Sequence, residues 1–438
     1  MERAAIMTIY ALSTTEGQSG VAIIRVSGTK AKECIKVLTG RNPKPRYAEL
    51  TNITSSKKEI IDQAITLFFP EGKSFTGESV AEFHLHGSSA VIKKVLLELS
   101  KIKGLRLAKP GEFTKIAYIN GKLNLLQVEG LRNLIRAETD EQRRQAFRHY
   151  SDQATNKYFS WLEDLRNILA LVEASIDFSD EEMPGDIYNV ARKKINKTIL
   201  ELRKHLKSEK QGAVIRDGIK IAILGKTNSG KSSLINYLSK RELSIVSKNP
   251  GTTRDVLSVQ MEFSGIPVTI YDTAGIRSTK DEIEEEGKRR ALITGTIADI
   301  RVFIGDNSLK RPFKDISLTK QKEDLVVMNK ADLKKANNEK RDVTISLKKN
   351  KGLDRLVDKI VARVKEISSV YSGPVITSER EFGHVKSALQ SLERIKYQDP
   401  ALDSEEINNA LVEIGLITKK THNEEILGRI FNDFCIGK

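Results

Sequence analysis

One stretch constrains this chain more than any other: GKTNSGKS at residues 225–232. It follows an apolar run, IKIAILG (219–225), and precedes SLINYLSK, which has helical spacing. The pattern G-x-x-x-x-G-K-S between a strand and a helix makes a phosphate-binding loop. Its glycines let backbone N–H groups wrap phosphates, Lys231 reaches the β and γ oxygens, and Ser232 reaches Mg²⁺. From this loop to about residue 370, apolar strands alternate with helical segments, the pattern of an α/β sheet domain.

Three further segments follow in the order such a domain needs. GTTRD (251–255) supplies Thr253 for Mg²⁺ and the γ-phosphate, and VTIYDTAG (268–275) runs as a strand into Asp272 on the metal side. LVVMNKAD (325–332) is a buried strand leading to Asn329, Lys330 and Asp332. A carboxylate at 332 accepts from the N1–H and exocyclic amine of guanine. Adenine has no donor at that ring position and would leave the carboxylate unpaired. Order and spacing together identify a GTPase domain.

Two details refine its chemistry. Ile276 stands where a Ras-like protein carries its water-orienting glutamine, so the attacking water must be held from elsewhere. The acidic run DEIEEEG (281–287) is the nearest source of such a group, and it is also what a solvated helix start looks like. Asn228 offers a side-chain oxygen to a monovalent cation beside the phosphates, doing the charge-neutralising work of an arginine finger. Arg254 is a rival for that work.

The chain has 438 residues, too many for one core, and two or three domains are expected. Its net charge of +15 suits a polyanionic partner, but the excess is spread. Residues 1–120 hold 18 basic against 11 acidic side chains, and no polybasic tail concentrates them. No apolar run approaches a membrane span, since ILALVEASI (168–176) is interrupted by Glu173. Nor does the opening MERAAIMTIYALSTT show a signal pattern. Two cysteines, Cys34 and Cys435, make no disulfide framework, so a reducing compartment is expected: the bacterial cytoplasm, or an organelle matrix.

Residues 1–120 read as a compact α/β domain. GVAIIRVSG (20–28), DQAITLFF (62–69) and VAEFHLHG (80–87) read as strands, and KAKECIKVL (30–38) and AVIKKVLLEL (90–99) as helices. Residues 121–213 are long amphipathic stretches that predict a helical layer, 214–372 is the GTPase domain, and 373–438 is helical again. Helices on both flanks of an α/β block predict an inserted middle domain, with the flanks packing on each other. Cys34, inside a helical stretch, reads as core. His84 and His86 share one strand face and read as packing rather than a metal pair.

The whole chain resembles the MnmE (TrmE) family of tRNA-modifying GTPases. The likeness rests on GVAIIRVSG, SFTGES (74–79), KPGEFTKIAYINGKLNLLQVEGL (109–131), GKTNSGKSSLIN, PGTTRD, DTAGIR and the closing ILGRIFNDFCIGK (426–438). It implies an N-terminal α/β domain that binds folate and dimerises, a helical domain built from two chain segments, and an inserted Ras-like P-loop GTPase domain. It fills out the nucleotide contacts to Asn228, Ser229, Gly230, Lys231, Ser232, Ser233, Thr252, Thr253, Asp272, Gly275, Asn329, Lys330, Asp332 and Ser346. K⁺ ligands are implied at Asn228, Ser247, Asn249 and Thr252, and Mg²⁺ ligands at Ser232 and Thr253. The water-positioning glutamate falls on Glu284, within the acidic run. Folate contacts are implied at Arg25, Glu82 and Lys122.

The resemblance further implies a homodimer and a heterotetramer with MnmG, a partner that uses FAD and NADH. The complex would add an aminomethyl or carboxymethylaminomethyl group to C5 of the wobble uridine of certain tRNAs. The one-carbon unit would come from a tetrahydrofolate derivative, in the 5,10-methylene form or bound as the 5-formyl form. Cys435 would take part near the folate as nucleophile or acid–base group, with Lys438 or a nearby helix terminus favouring the thiolate; the alternative is a packing residue in a docked helix. The sequence departs from the family at TTEGQSG (14–20), Lys248 and Leu347. The competing reading is a ribosome-assembly GTPase acting as an RNA-binding switch. Such a protein often carries a G-x-x-G clamp after its GTPase domain, and residues 373–438 have none.

Overall fold

The computed structural model describes residues 7–177, 187–240, 258–272, 295–314, 321, 324–335, 338–368, 373–419 and 424–438. The chain divides into two compact units, each discontinuous in sequence. The first comprises residues 1–132, 149–160 and 414–438, and the second 133–148 and 161–413.

The first unit is built on a six-stranded sheet. Its strands are β1 (Thr8–Leu12), β2 (Ser19–Ser27), β3 (Glu49–Thr54), β4 (Ile60–Phe69), β5 (Val80–Gly87) and β6 (Leu105–Leu107), in the order β3-β4-β5-β2-β1-β6. All neighbours are antiparallel except β1 and β6. Period-two alternation splits the sheet's residues between two cores. Tyr10, Ile24, Val26, Phe83 and Leu85 pack with helices α1 (Ala31–Thr39) and α2 (Ser89–Ser100). Ile9 and Ala11 instead meet Ala108 and Phe113, the latter on α3 (Glu112–Ile119). Cys34 lies in the α1 core, fully buried, and burial pushes its thiol up to about 12, so it packs and does not react.

The expected run from Leu125 to Tyr150 is two helices, α4 (Leu125–Arg136) and α5 (Asp140–Tyr150). The break has a local cause: the Gln142 N–H donates to Thr139 Oγ1 at 3.3 Å. In return Gln142 Oε1 accepts the Thr139 N–H at 3.1 Å, a capping box that starts a new helix. Long α6 (Asp152–Asp177) follows, then α7 (Ile187–Leu206) and α8 (Glu209–Asp217). None of the described helices is long and apolar enough to cross a membrane.

The second unit holds the other six-stranded sheet. Its strands β7 (Ile219–Leu224), β8 (Ser258–Phe263), β9 (Ile266–Asp272), β10 (Ile300–Asp306), β11 (Leu325–Asn329) and β12 (Val343–Thr344) run in the order β12-β11-β10-β7-β9-β8. Every pair is parallel except the β8–β9 hairpin. This is the strand order of a Ras-like P-loop GTPase domain. Helices α9 (Lys231–Lys240) and α10 (Leu353–Ser368) bury Leu234, Leu238, Leu356 and Ile360 against Ile221, Ile223 and Ile270. Their apolar residues recur at helical spacing and those of β7 are nearly continuous, as a sheet covered on both faces requires.

Helices before and after this sheet do pack on each other within the second unit. The later ones are α11 (Glu379–Arg394) and α12 (Pro400–Thr418), followed in the first unit by α13 (Glu424–Asn432). Arg203 on α7 donates to Glu393 on α11 at 2.8 Å, and Tyr188 on α7 bonds Asp403 on α12. The chain enters and leaves the sheet side by side. A Cβ on Gly212 of α8 would lie 1.7 Å from the Ile376 carbonyl oxygen, and the Ile376 N–H donates to Ser208 Oγ at 3.2 Å.

Candidate nucleotide site and a second polar cluster

The phosphate loop runs from the end of β7 to the start of α9. Both of its glycines are required sterically. A Cβ at Gly225 would sit 2.3 Å from the Ile304 carbonyl oxygen, and one at Gly230, where φ is +106°, would sit 2.3 Å from Asn329 Nδ2. Between them Asn228 adopts φ +62°, a left-handed conformation that asparagine tolerates better than most residues. Lys231 folds back across the loop, its Nζ donating to the carbonyls of Gly225 at 2.7 Å and Lys226 at 2.9 Å. Only 7% of it is exposed. An ammonium held against carbonyls at the mouth of a loop is placed to exchange those oxygens for phosphate oxygens. Ser232 and Ser233 lie exposed in the first turn of α9.

The base side is assembled on β11 and the loop after β12. Asn329 is buried; its Nδ2 donates to the Ser229 carbonyl at 2.9 Å and its Oδ1 accepts the Leu347 N–H at 3.2 Å. Ser346 donates its hydroxyl to Asp332 Oδ1 at 2.5 Å and exchanges both backbone bonds with Lys351, which closes the loop. That hydroxyl holds the Asp332 carboxyl below its usual range, so it stands ionised as an acceptor for paired N–H donors. Lys330, at φ +63°, pairs with Asp306 at 2.5 Å. Burial alone would raise the Asp306 pKa, but Lys330 and the hydroxyl and N–H of Ser308 more than offset it, and the carboxyl titrates lower than usual.

The structure therefore brings together Asn228, Ser229, Gly230, Lys231, Asn329, Lys330, Asp332 and Ser346. Asp272 ends β9 opposite Ile223 of β7, which puts its backbone beside the strand feeding the phosphate loop. Ser247, Asn249, Thr252, Thr253, Arg254, Gly275, Ile276 and Glu284 lie outside the described residues. The loop's glycines and folded-back lysine fit a nucleotide polyphosphate.

A second polar constellation occupies the first unit. Arg25 and Glu82 are opposite each other on β2 and β5, and Arg25 Nε donates to Glu82 Oε1 at 2.9 Å. The guanidinium lies over two rings, 5.7 Å from the Phe75 centroid and 5.8 Å from that of Phe113. Burial pushes the Glu82 pKa up, but His84 and Arg25 together pull it below the usual range. Lys122 reaches this region indirectly. Its Nζ donates to the Gly72 carbonyl at 2.7 Å while Asn120 donates to the Thr76 carbonyl at 2.8 Å, and the two hold the loop that carries Phe75. Phe75 and Phe113 were not singled out from the sequence; no local pattern marks a ring that serves as a wall.

The tail joins the same unit. Phe431 and Phe434 pack with Tyr118, Leu125 and Val128, and with Phe75 at the margin. Cys435 lies past the end of α13 and is exposed, so it is not a packing residue of that helix. Cys435–Lys438 form a turn closed by the Lys438 N–H on the Cys435 carbonyl at 3.3 Å. Gly437 has φ +94°, the requirement of the third position of a type II turn. The turn docks at the end of β1, where Ser13 Oγ donates to the Gly437 carbonyl at 3.0 Å.

Two families match. The one described as "GTP-binding protein TrmE N-terminus" covers residues 8–122, and the one described as "MnmE helical domain" covers 125–435. A tRNA modification GTPase MnmE of Pelagibacter ubique (strain HTCC1062) is 44% identical over 444 residues, spanning 99% of this chain and 100% of its own. One from Parvibaculum lavamentivorans is 41% identical, spanning 98% and 100%. The mitochondrial 5-taurinomethyluridine-[tRNA] synthase subunit GTPB3 of Danio rerio is 38% identical, spanning 98% and 93%. Among solved structures, the G domain of the T. maritima FeoB iron transporter aligns with 33% of this chain and 98% of its own, at 22% identity and a TM-score of 0.24.

Proposed function

Because this chain belongs to the MnmE family of tRNA modification GTPases, we propose that it couples GTP hydrolysis to the building of a C5 substituent on the wobble uridine of certain tRNAs. The substituent is an aminomethyl or carboxymethylaminomethyl group, and the FAD-dependent partner MnmG acts with this chain in a heterotetramer. The name of the zebrafish relative, a 5-taurinomethyluridine synthase subunit, supports a uridine C5 product. The observation that carries the GTPase half is the junction of Asn329 with Ser229 and Leu347, which ties base and phosphate segments into one pocket.

In this reading Asp332 selects guanine, Lys231 neutralises the β and γ oxygens, and Ser232 with Thr253 holds Mg²⁺. Asn228, with Ser247, Asn249 and Thr252, holds K⁺, which supplies positive charge beside the transferred phosphate. Glu284 positions the attacking water. The first 120 residues bind a reduced folate through Arg25 and Glu82, with Lys122 just beyond them completing the contact, and form the homodimer. Residues 121–213 and 373–438 make the helical domain, and 214–372 the GTPase domain. Cys435 acts at the folate side, and its exposure beyond α13 supports an accessible thiol. The site of action is the cytoplasm of a bacterium or, in the alternative, an organelle matrix.

The test is nucleoside analysis of tRNA from a modification-deficient host complemented with this chain or with Cys435→Ser. C5-modified wobble uridine with the wild type and none with a folded, GTPase-competent variant supports both the function and the role of the thiol. Restoration by both keeps the function and removes Cys435 from the chemistry. Restoration by neither, with partner present, turns the reading toward an RNA-binding switch in ribosome assembly.

A further inference from the structure

Glu82 is gripped from two sides, and the second grip is a histidine. Its Oε1 accepts from Arg25 Nε, and its Oε2 lies 3.3 Å from His84 Nε2. A carboxylate that stands ionised only accepts, so Nε2 carries the proton in this contact. His84 follows Glu82 by two residues along β5, and the strand's period of two puts both on one face. Across the ladder His84 is opposite Ile65 on β4 and Ile23 on β2, which neither donate nor accept through their side chains. The two side chains are 26% and 15% exposed, sheltered yet open to a ligand.

The terminal torsion of a glutamate is broad and roughly two-fold, so one contact leaves its carboxylate plane free to turn. The Arg25 contact engages a single nitrogen and a single oxygen. We propose that His84 is a positioning residue for the Arg25–Glu82 pocket: its donated hydrogen bond fixes the carboxylate plane so that the outward lone pairs meet the paired N–H donors of a ligand's aminopyrimidine edge. This rests on the reading of the pocket as a reduced-folate site. His84 touches no reacting atom and acts through Glu82 alone.

Titration calorimetry of the intact protein with 5-formyltetrahydrofolate, on the wild type, His84→Leu, His84→Gln and Glu82→Gln, tests it. His84→Leu is expected to weaken binding about tenfold, the loss of one hydrogen bond to a charged group. His84→Gln, whose amide N–H donates in place of Nε2–H, recovers most of that loss, and Glu82→Gln falls below both. A residue that merely filled space would not be rescued by a donor. If His84→Leu lowers the melting temperature, His84→Asn, too short to reach Glu82, takes its place. Wild-type binding matched by the leucine or asparagine variant, or a glutamine variant as weak as they are, overturns the role of His84 alone. A wild type that binds no reduced folate overturns the pocket reading, and the role of His84 with it.

Discussion

Asn329 reaches back 100 residues to hold the carbonyl of Ser229, at 2.9 Å, from the far side of the phosphate loop. The same side chain takes the Leu347 N–H. Asn329→Ala therefore strips partners from the buried Ser229 carbonyl and the half-buried Leu347 N–H at once. Local stability should fall by about 1–3 kcal/mol, and affinity for GDP and GTP should fall together. Nucleotide titration and thermal unfolding of the variant check this, and affinity equal to wild type would contradict the tie.

Asp332→Asn places an amide donor where a carboxylate accepted. The guanine amine then faces another N–H, whereas xanthine presents a carbonyl at that position. Preference should move from GTP toward XTP by roughly tenfold or more, read from competition binding. Retained guanine selectivity would remove Asp332 from the base contact.

Glu284→Ala should leave nucleotide affinity near wild type and lower turnover under K⁺ by about 100-fold or more, in keeping with loss of a water-positioning group. Single-turnover hydrolysis with and without K⁺ is the measurement. Unchanged turnover takes Glu284 out of the mechanism.

Gly437→Ala combines two offences: φ is +94°, and a Cβ would lie 2.0 Å from the Leu12 carbonyl oxygen. The turn should lift off β1 at a cost of roughly 1–3 kcal/mol to its docking. Faster hydrogen exchange at Ser13 and Lys438, with GTP hydrolysis unaltered, would report it.

The Asp306–Lys330 pair predicts an acid-side effect. The folded-state pKa of Asp306 is depressed, so the pair's stabilisation is present above the unfolded carboxylate value of about 3.9. It is lost as pH falls through the lower folded value. Melting temperatures from pH 3 to 6 should therefore rise more steeply for wild type than for Asp306→Asn.

The phosphate loop was legible because its chemistry is contiguous: eight residues from Gly225 to Ser232 carry the turn, the lysine and the metal-side hydroxyl. The strand and Asn329-Lys330-x-Asp332 were legible for the same reason. Asn329's grip on Ser229 was not, since nothing near residue 329 marks its partner. Strands β1 and β3 are five and six residues long and owe their existence to neighbours across the sheet, so their own sequences did not announce them. The break at Thr139 was readable as T-x-x-Q, yet the amphipathic texture on both sides hid it. His84 was read with His86 as packing, although the same period of two pointed equally to Glu82.

The first unit closes only when residues 414–438 return to strands made at the outset. At roughly 5–20 residues per second of synthesis, that return lags β1 by on the order of 20–80 s. For the later part of that interval, on the order of 15–60 s, Tyr118, Leu125 and Val128 lack Phe431 and Phe434 to cover them. A nascent chain therefore carries this apolar cluster uncovered until Phe431 and Phe434 are made, and a chain that stops before Phe431 leaves it uncovered.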